Sequence, residues 1–207
     1  MCCLSGVAQQ ANDGFSISTI SDSLMARMER GGSFPKNCTI KREELRHLQV
    51  LFVDFKGNTQ HGELVCNKVI ANDLISIFKE LYQQKYPIAS IRLIDDFGAD
   101  DETSMRANNT SCFCYRTIKG STKLSAHSRG MAIDINPLQN PCVKYTKEGK
   151  FRNIQPDTKE ARAYINRLSG KSHLITKNDL CYKLFVRHGF IWGGSWRTTK
   201  DYQHFEK

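Results

Sequence analysis

Three side chains with closely related chemistry stand far apart in this sequence. His127 and Asp134 lie within SAHSRGMAIDINP, and His204 lies within DYQHFEK. Two imidazoles and one carboxylate are donor types that suit a catalytic zinc ion, because three protein ligands leave the fourth position open. If they share one ion, each donor atom sits ~2 Å from it. The fold must then bring residue 204 back beside residues 127–134. The chain must also reverse between His127 and Asp134, since seven extended residues span roughly 23 Å. Ser128-Arg129-Gly130 is the natural place, because glycine adopts backbone angles closed to other residues.

Local patterning supports this arrangement. Met131, Ile133 and Ile135 alternate with Ala132 and Asp134, which predicts a short strand with the carboxylate opposite an apolar face. His204 and Glu206 alternate with Phe205, so both polar groups point to one side and Glu206 can orient the histidine. Asp201, three residues before His204, is placed to act as the base of a hydrolytic reaction. The remaining histidines, His47, His61, His173 and His188, have no comparable surroundings. His188 precedes Gly189 at an expected helix end, where a cation interacts well with the dipole.

The pattern Ser125-x-His127-x-x-Gly130-x-Ala132-x-Asp134-Ile135, with Trp192-Gly193-Gly194 and Asp201-x-x-His204-Phe205-Glu206 downstream, resembles the D-alanyl-D-alanine carboxypeptidase and L-alanyl-D-glutamate endopeptidase family of zinc peptidases. That family shares its metal-site design with lysostaphin-type enzymes and the hedgehog signalling domain. The likeness is close over residues 90–207 and extends toward residue 40. It implies that His127, Asp134 and His204 bind Zn2+ and that Asp201 is the catalytic base. Some relatives carry glutamate at the base position. The stretch SMRANNTSCFCYR resembles the family segment that supplies a substrate-binding arginine, with Arg116 the better match and Arg106 the second. The other reading of Arg116 is a structural salt bridge to one of Asp95, Asp96, Asp100, Asp101 or Glu102.

The 207 residues suit one enzyme domain with a sizeable core. Residues 1–35 read as tail and linker, with Gly31-Gly32-Ser33-Phe34-Pro35 at their end, although Leu24, Met25 and Met28 could form one helix face. Residues 36–207 read as the peptidase domain. Met1 to Ala8, MCCLSGVA, could be the tail of a secretory signal, a lipid-modified end at Cys2 or Cys3, or an end without a targeting role. Export is favoured by the implied substrate. No apolar run approaches the length needed to span a bilayer. The net charge of +9 is spread along the chain, and no nucleic-acid-binding signature accompanies it. A solvated surface is the first reading, and attraction to an anionic cell wall the second. None of the eight cysteines forms a Cys-x-x-Cys pair, which argues against a zinc ribbon. Cys66 and Cys181 read as buried thiols, and one or two disulfides elsewhere stay open.

The predicted elements are mixed. Residues 41–48 read as a short helix or the approach to a strand. Strands at 47–55 and 63–66 flank a turn at Lys56-Gly57-Asn58. A helix capped at Asn72 or Asp73 runs toward residue 86, burying Leu74, Ile75, Phe78, Leu81 and Tyr82, until Pro87 stops it. Residues 91–94 read as a strand, 95–125 as a long irregular active-site loop, and 157–168 as a helix. A further helix capped at Asn178 faces Cys181, Leu184 and Phe185 inward and ends at Gly189. Strands follow at 190–192 and 203–206. This order predicts an α+β fold with a mainly antiparallel sheet flanked by helices, like that of the resembled family. Trp192 reads as core, and Trp196 as a wall of the substrate cleft.

The expected function is zinc-dependent hydrolysis of a peptide bond in peptidoglycan stem peptides, of the D-Ala-D-Ala carboxypeptidase or L-Ala-D-Glu endopeptidase type. The expected partners are those stem peptides, with no nucleic acid and no integral membrane segment. The implied location is extracytoplasmic: periplasmic, wall-associated or secreted. Two rivals are a non-catalytic zinc-binding module that recognises the wall and an amidase that cuts the sugar–peptide link.

Overall fold

The computed structural model describes residues 13–118 and 120–207. The expectations for Met1 to Ala8 lie outside the described residues. The chain is α+β, as its pattern predicts, and among the described residues the strands form three small antiparallel sheets.

The first sheet holds β1 (Ser16–Thr19), β2 (Leu45–Val53) and β3 (Thr59–Asn67) in that order. The turn at Lys56-Gly57-Asn58 joins β2 to β3, and Leu48 sits opposite Leu64. Alternation decides the packing. Leu48, Val50, Phe52, Leu64 and Cys66 form one core with Leu74, Ile77, Phe78 and Leu81 of the helix α2 (Ala71–Gln83). Leu45 and Val65 join a second cluster with Leu24 and Met28 of the helix α1 (Asp22–Gly31). The stretch read as tail and linker is therefore part of the fold from β1 onward. Its helix has a buried stripe and a side-chain cap, the Ser21 hydroxyl accepting from Leu24 N–H at 3.2 Å. Residues 42–44 form a single tight turn before β2.

Other boundaries move for identifiable reasons. The helix α2 has Ile70 at its start with no side-chain cap. Asp73 instead receives the Lys207 ammonium at 2.8 Å and lies 3.1 Å from His188 Nδ1. Ile75 and Tyr82 are only half-buried, and Ile77 takes the inner place. Residues 91–94 do not form a strand. Arg92 finds its backbone partners in one side chain: the Asn109 amide accepts from Arg92 N–H and donates to Arg92 C=O, both at 2.9 Å. The polar run 95–125 is not simply a loop. It contains α3 (Asp101–Arg106), capped by Asp100, and its residues from Asn108 to Cys114 are buried. The 157–168 helix shrinks to one turn, α4 (Lys159–Arg162), and Leu168 is 95% exposed. The next helix, α5 (Leu180–Arg187), is capped by Asp179, which accepts from Cys181 N–H at 2.9 Å, rather than by Asn178. The six cysteines among the described residues are all free.

Two further sheets carry the C-terminal half. One has the order β4 (Ala132–Asp134), β9 (His204–Glu206), β7 (Ile191–Trp192). The other has the order β6 (Phe151–Gln155), β5 (Cys142–Tyr145), β8 (Thr199–Asp201). The step from β8 to β9 crosses between them within a few residues. Phe205 anchors β9, its ring stacking on Phe185 of α5 at 4.3 Å. Among the described residues, no helix is long and apolar enough to cross a membrane.

Candidate metal centre

Two antiparallel strands bring the distant side chains together. Register pairs Asp134 of β4 with His204 of β9, and Ile133 with Phe205. With Phe205 committed to the core, its neighbours His204 and Glu206 turn the other way. His127 arrives from a single tight turn over residues 126–129, whose first N–H groups are capped by Ser125 Oγ accepting from His127 N–H at 3.3 Å. Gly130 ends that turn at φ +65, and a side chain there would meet the backbone nitrogen of Asn67 at 2.6 Å. Both the left-handed backbone and the close approach therefore require glycine.

The donor atoms converge. His127 Nε2 lies 3.2 Å from His204 Nδ1 and 3.3 Å from Asp134 Oδ2, and His204 Nδ1 lies 3.0 Å from Asp134 Oδ1. A tetrahedral zinc site with nitrogen and oxygen arms has ligand atoms ~3.3 Å apart. The three buried residues fit such an ion, and they form a group able to hold a metal. The remaining imidazole nitrogens are engaged in the way metal ligands require. His127 Nδ1–H donates to the Cys112 carbonyl at 2.6 Å, which leaves Nε2 as the free lone pair. His204 Nε2–H donates to the Glu206 carboxylate at 3.3 Å, which leaves Nδ1. Burial works against ionisation of Asp134, but the two imidazoles hold its carboxyl far below the usual range. Burial also opposes the charged form of His204, yet hydrogen bonds to Asp134 and Glu206 raise its pKa to about 10, so a cation bound at Nδ1 would displace a proton from it.

These residues line a cavity of about 290 Å³, together with Asp101, Arg116, Cys142, Trp196, Asp201 and Gln203 among others. Asp201 sits at the end of β8, paired in register with Cys142 of β5, outside the three-donor group. Burial and the Asp134 charge push its pKa up to about 6, against the pull of His204. Its Oδ1 is buried without a hydrogen-bond partner. The Trp192-Gly193-Gly194 segment packs under this turn. A side chain at Gly193 would meet Asp201 C=O at 2.7 Å, and one at Gly194 would strike the Trp192 ring. Trp192 is core, its Nε1–H donating to Tyr202 C=O at 2.9 Å.

Arg116 Nη2 donates to Asp101 Oδ2 at 2.9 Å, and the side chain also lines the cavity. Arg106 pairs with Glu102 within α3 at 2.9 Å. Trp196 lies over His204 with ring centroids 5.3 Å apart. His47 pairs with Glu63, His188 with Asp73, and His173 stacks on Phe55, all away from this cluster. Sequence reasoning missed the Cys112 carbonyl, Cys142 and Gln203. The first is a backbone contact with no residue-type signal, but Gln203 stands between two residues already singled out.

Compared with known proteins, residues 119–207 match the family described as D-alanyl-D-alanine carboxypeptidase. The resemblance read from the sequence thus holds over the segment containing His127, Asp134, Asp201 and His204. No curated protein and no solved structure matches.

Proposed function

We propose, with the family match of residues 119–207 as premise, that this chain is a zinc-dependent peptidase acting on peptidoglycan stem peptides. The observation that carries the reading is the convergence of His127 Nε2, His204 Nδ1 and the Asp134 carboxylate in one cavity that also holds Asp201. When bound there, zinc would supply Lewis acidity toward a carbonyl and lower the pKa of water. His127, Asp134 and His204 are its holders in this reading, with Cys112 C=O and Glu206 fixing the imidazole orientations.

Asp201 is the base. It takes a proton from the attacking water and returns it to the leaving amine, which asks for a carboxylate whose pKa is raised toward the working pH. In the metal-free protein, burial and the Asp134 charge raise it in that direction. A purely structural ion needs no such group, and a buried carboxylate oxygen left without a partner costs stability. Asp201 therefore weighs against a non-catalytic recognition module. Arg116, held by Asp101, offers a fixed donor to a substrate carboxylate or carbonyl, and Trp196 forms a wall. With that substrate, the expected site of action is outside the cytoplasm.

Purified muropeptides digested with and without a chelator test the reading. Cleavage that stops on chelation and returns with zinc is the expected result. A new amine on D-Glu marks the endopeptidase, and free D-Ala the carboxypeptidase. A freed sugar lactyl group marks the amidase and would overturn the peptidase assignment, as would cleavage indifferent to the chelator. Within the same assay, Arg116→Lys should raise KM about tenfold, the order of one charge-assisted hydrogen bond, with metal content unchanged. Wild-type KM in that variant would remove Arg116 from the binding role.

A further inference from the structure

Unmet hydrogen-bonding capacity is concentrated in one place. Among the described residues, four buried side-chain polar atoms have no partner, and three of them belong to residues lining the candidate cavity: Arg116 Nε, Asp201 Oδ1 and Gln203 Oε1. Buried polar groups are normally satisfied, so such a group in a cavity marks a place where something else completes the bond. Gln203 is the least expected of the three. It is 2% exposed, in the short link between β8 and β9. Its amide nitrogen faces Met105 Sδ at 3.5 Å, a weak acceptor. With the nitrogen end turned to Met105, the carbonyl end is left over. The torsion carrying the amide is broad and soft, so this oxygen can turn to a donor in the cavity at little cost.

We infer that Gln203 reads the backbone of the bound peptide, its side-chain carbonyl accepting a hydrogen bond from an amide N–H beside the cleaved bond. This rests on the peptidase reading above. A neutral acceptor suits a neutral secondary amide, whereas an ammonium group would be drawn to the neighbouring carboxylates.

Zinc-loaded protein is assayed on the synthetic stem peptide it cleaves. The comparison is with analogues in which one backbone amide next to the cleaved bond is replaced by an ester, which removes the N–H and keeps the shape. The parent should lose about tenfold in kcat/KM on one of these analogues, the size of one buried hydrogen bond left unmade. Gln203→Met keeps length and removes the carbonyl. It should lose about tenfold on the all-amide peptide and nothing further on that ester. Gln203→Glu keeps an acceptor oxygen and should keep the discrimination. Zinc content and melting temperature are followed in both variants. Undiminished discrimination in Gln203→Met, or one common factor lost on every substrate, would overturn the inference and leave Gln203 a structural residue. Should that variant not fold, the parent still decides: no ester penalty means that water alone completes Gln203. A zinc-loaded parent that cleaves no stem peptide overturns the peptidase reading, and this inference with it.

Discussion

Asp201→Ala retains its zinc and loses turnover, with kcat down by about 10²- to 10⁴-fold, the usual contribution of a positioned general base. The two halves of that expectation have separate structural grounds. Retention follows from the donor set: His127, Asp134 and His204 form the group, and Asp201 stands outside it on a different sheet. Loss of turnover follows from position and chemistry. The carboxylate lines the same cavity, its Oδ1 is unsatisfied, and burial beside Asp134 lifts its pKa toward the range where a proton moves both ways. Folding should not suffer. Removing a buried carboxylate with one oxygen unsatisfied relieves a desolvation cost that offsets the lost attraction to His204, so the metal-free variant should melt close to the parent. Zinc stoichiometry, single-turnover rates and melting temperature together test the assignment. Loss of the metal would move Asp201 into the ligand set, and full activity would remove it from the mechanism.

The parts of this site that were legible in advance are those written into short local patterns. The reversal expected at Ser128-Arg129-Gly130 is there, stopped by Gly130 in the left-handed region, and the structure adds the Ser125 cap at its start. Alternation around Phe205 separates an apolar anchor from two polar groups, and that alternation survives whatever the rest of the chain does. What escaped depends on contacts between distant segments. The Cys112 carbonyl that fixes His127 comes from a stretch whose polarity suggested solvent. There, asparagine amides stand in for missing backbone partners, Asn109 for Arg92 and Asn108 for Leu138 N–H at 2.9 Å. Polarity marks the need for hydrogen bonds and does not say whether water or protein meets it. Residues 16–31 looked like tail because glycines follow them, yet their buried face is short and depends on Leu45, Val65 and Phe113 from elsewhere. At 157–168 the helical spacing was present, but Leu168 found no surface to cover.

His204→Ala should abolish stoichiometric zinc binding and, with it, activity, while the fold remains. Removing an outer partner of a metal ligand costs ~10–100-fold in affinity. Removing the ligand itself also eliminates one of only three donors, so the loss exceeds that range and turns a full site into a nearly empty one at micromolar zinc. Glu206→Ala provides the internal scale, because it keeps the donor atom and loses only the carboxylate that orients it. The fold tolerates the change for the reason His204 reaches the site at all. Its neighbour Phe205 carries the packing, stacked on Phe185 in the core, whereas His204 faces the cavity. The ladder between β4 and β9 uses the backbone and is untouched. Far-UV circular dichroism should match the parent, and zinc titration should rank parent above Glu206→Ala above His204→Ala. If His204→Ala still takes up one zinc with parental affinity, the ion sits elsewhere, and the geometry at His127, Asp134 and His204 reflects an ordinary buried ion pair.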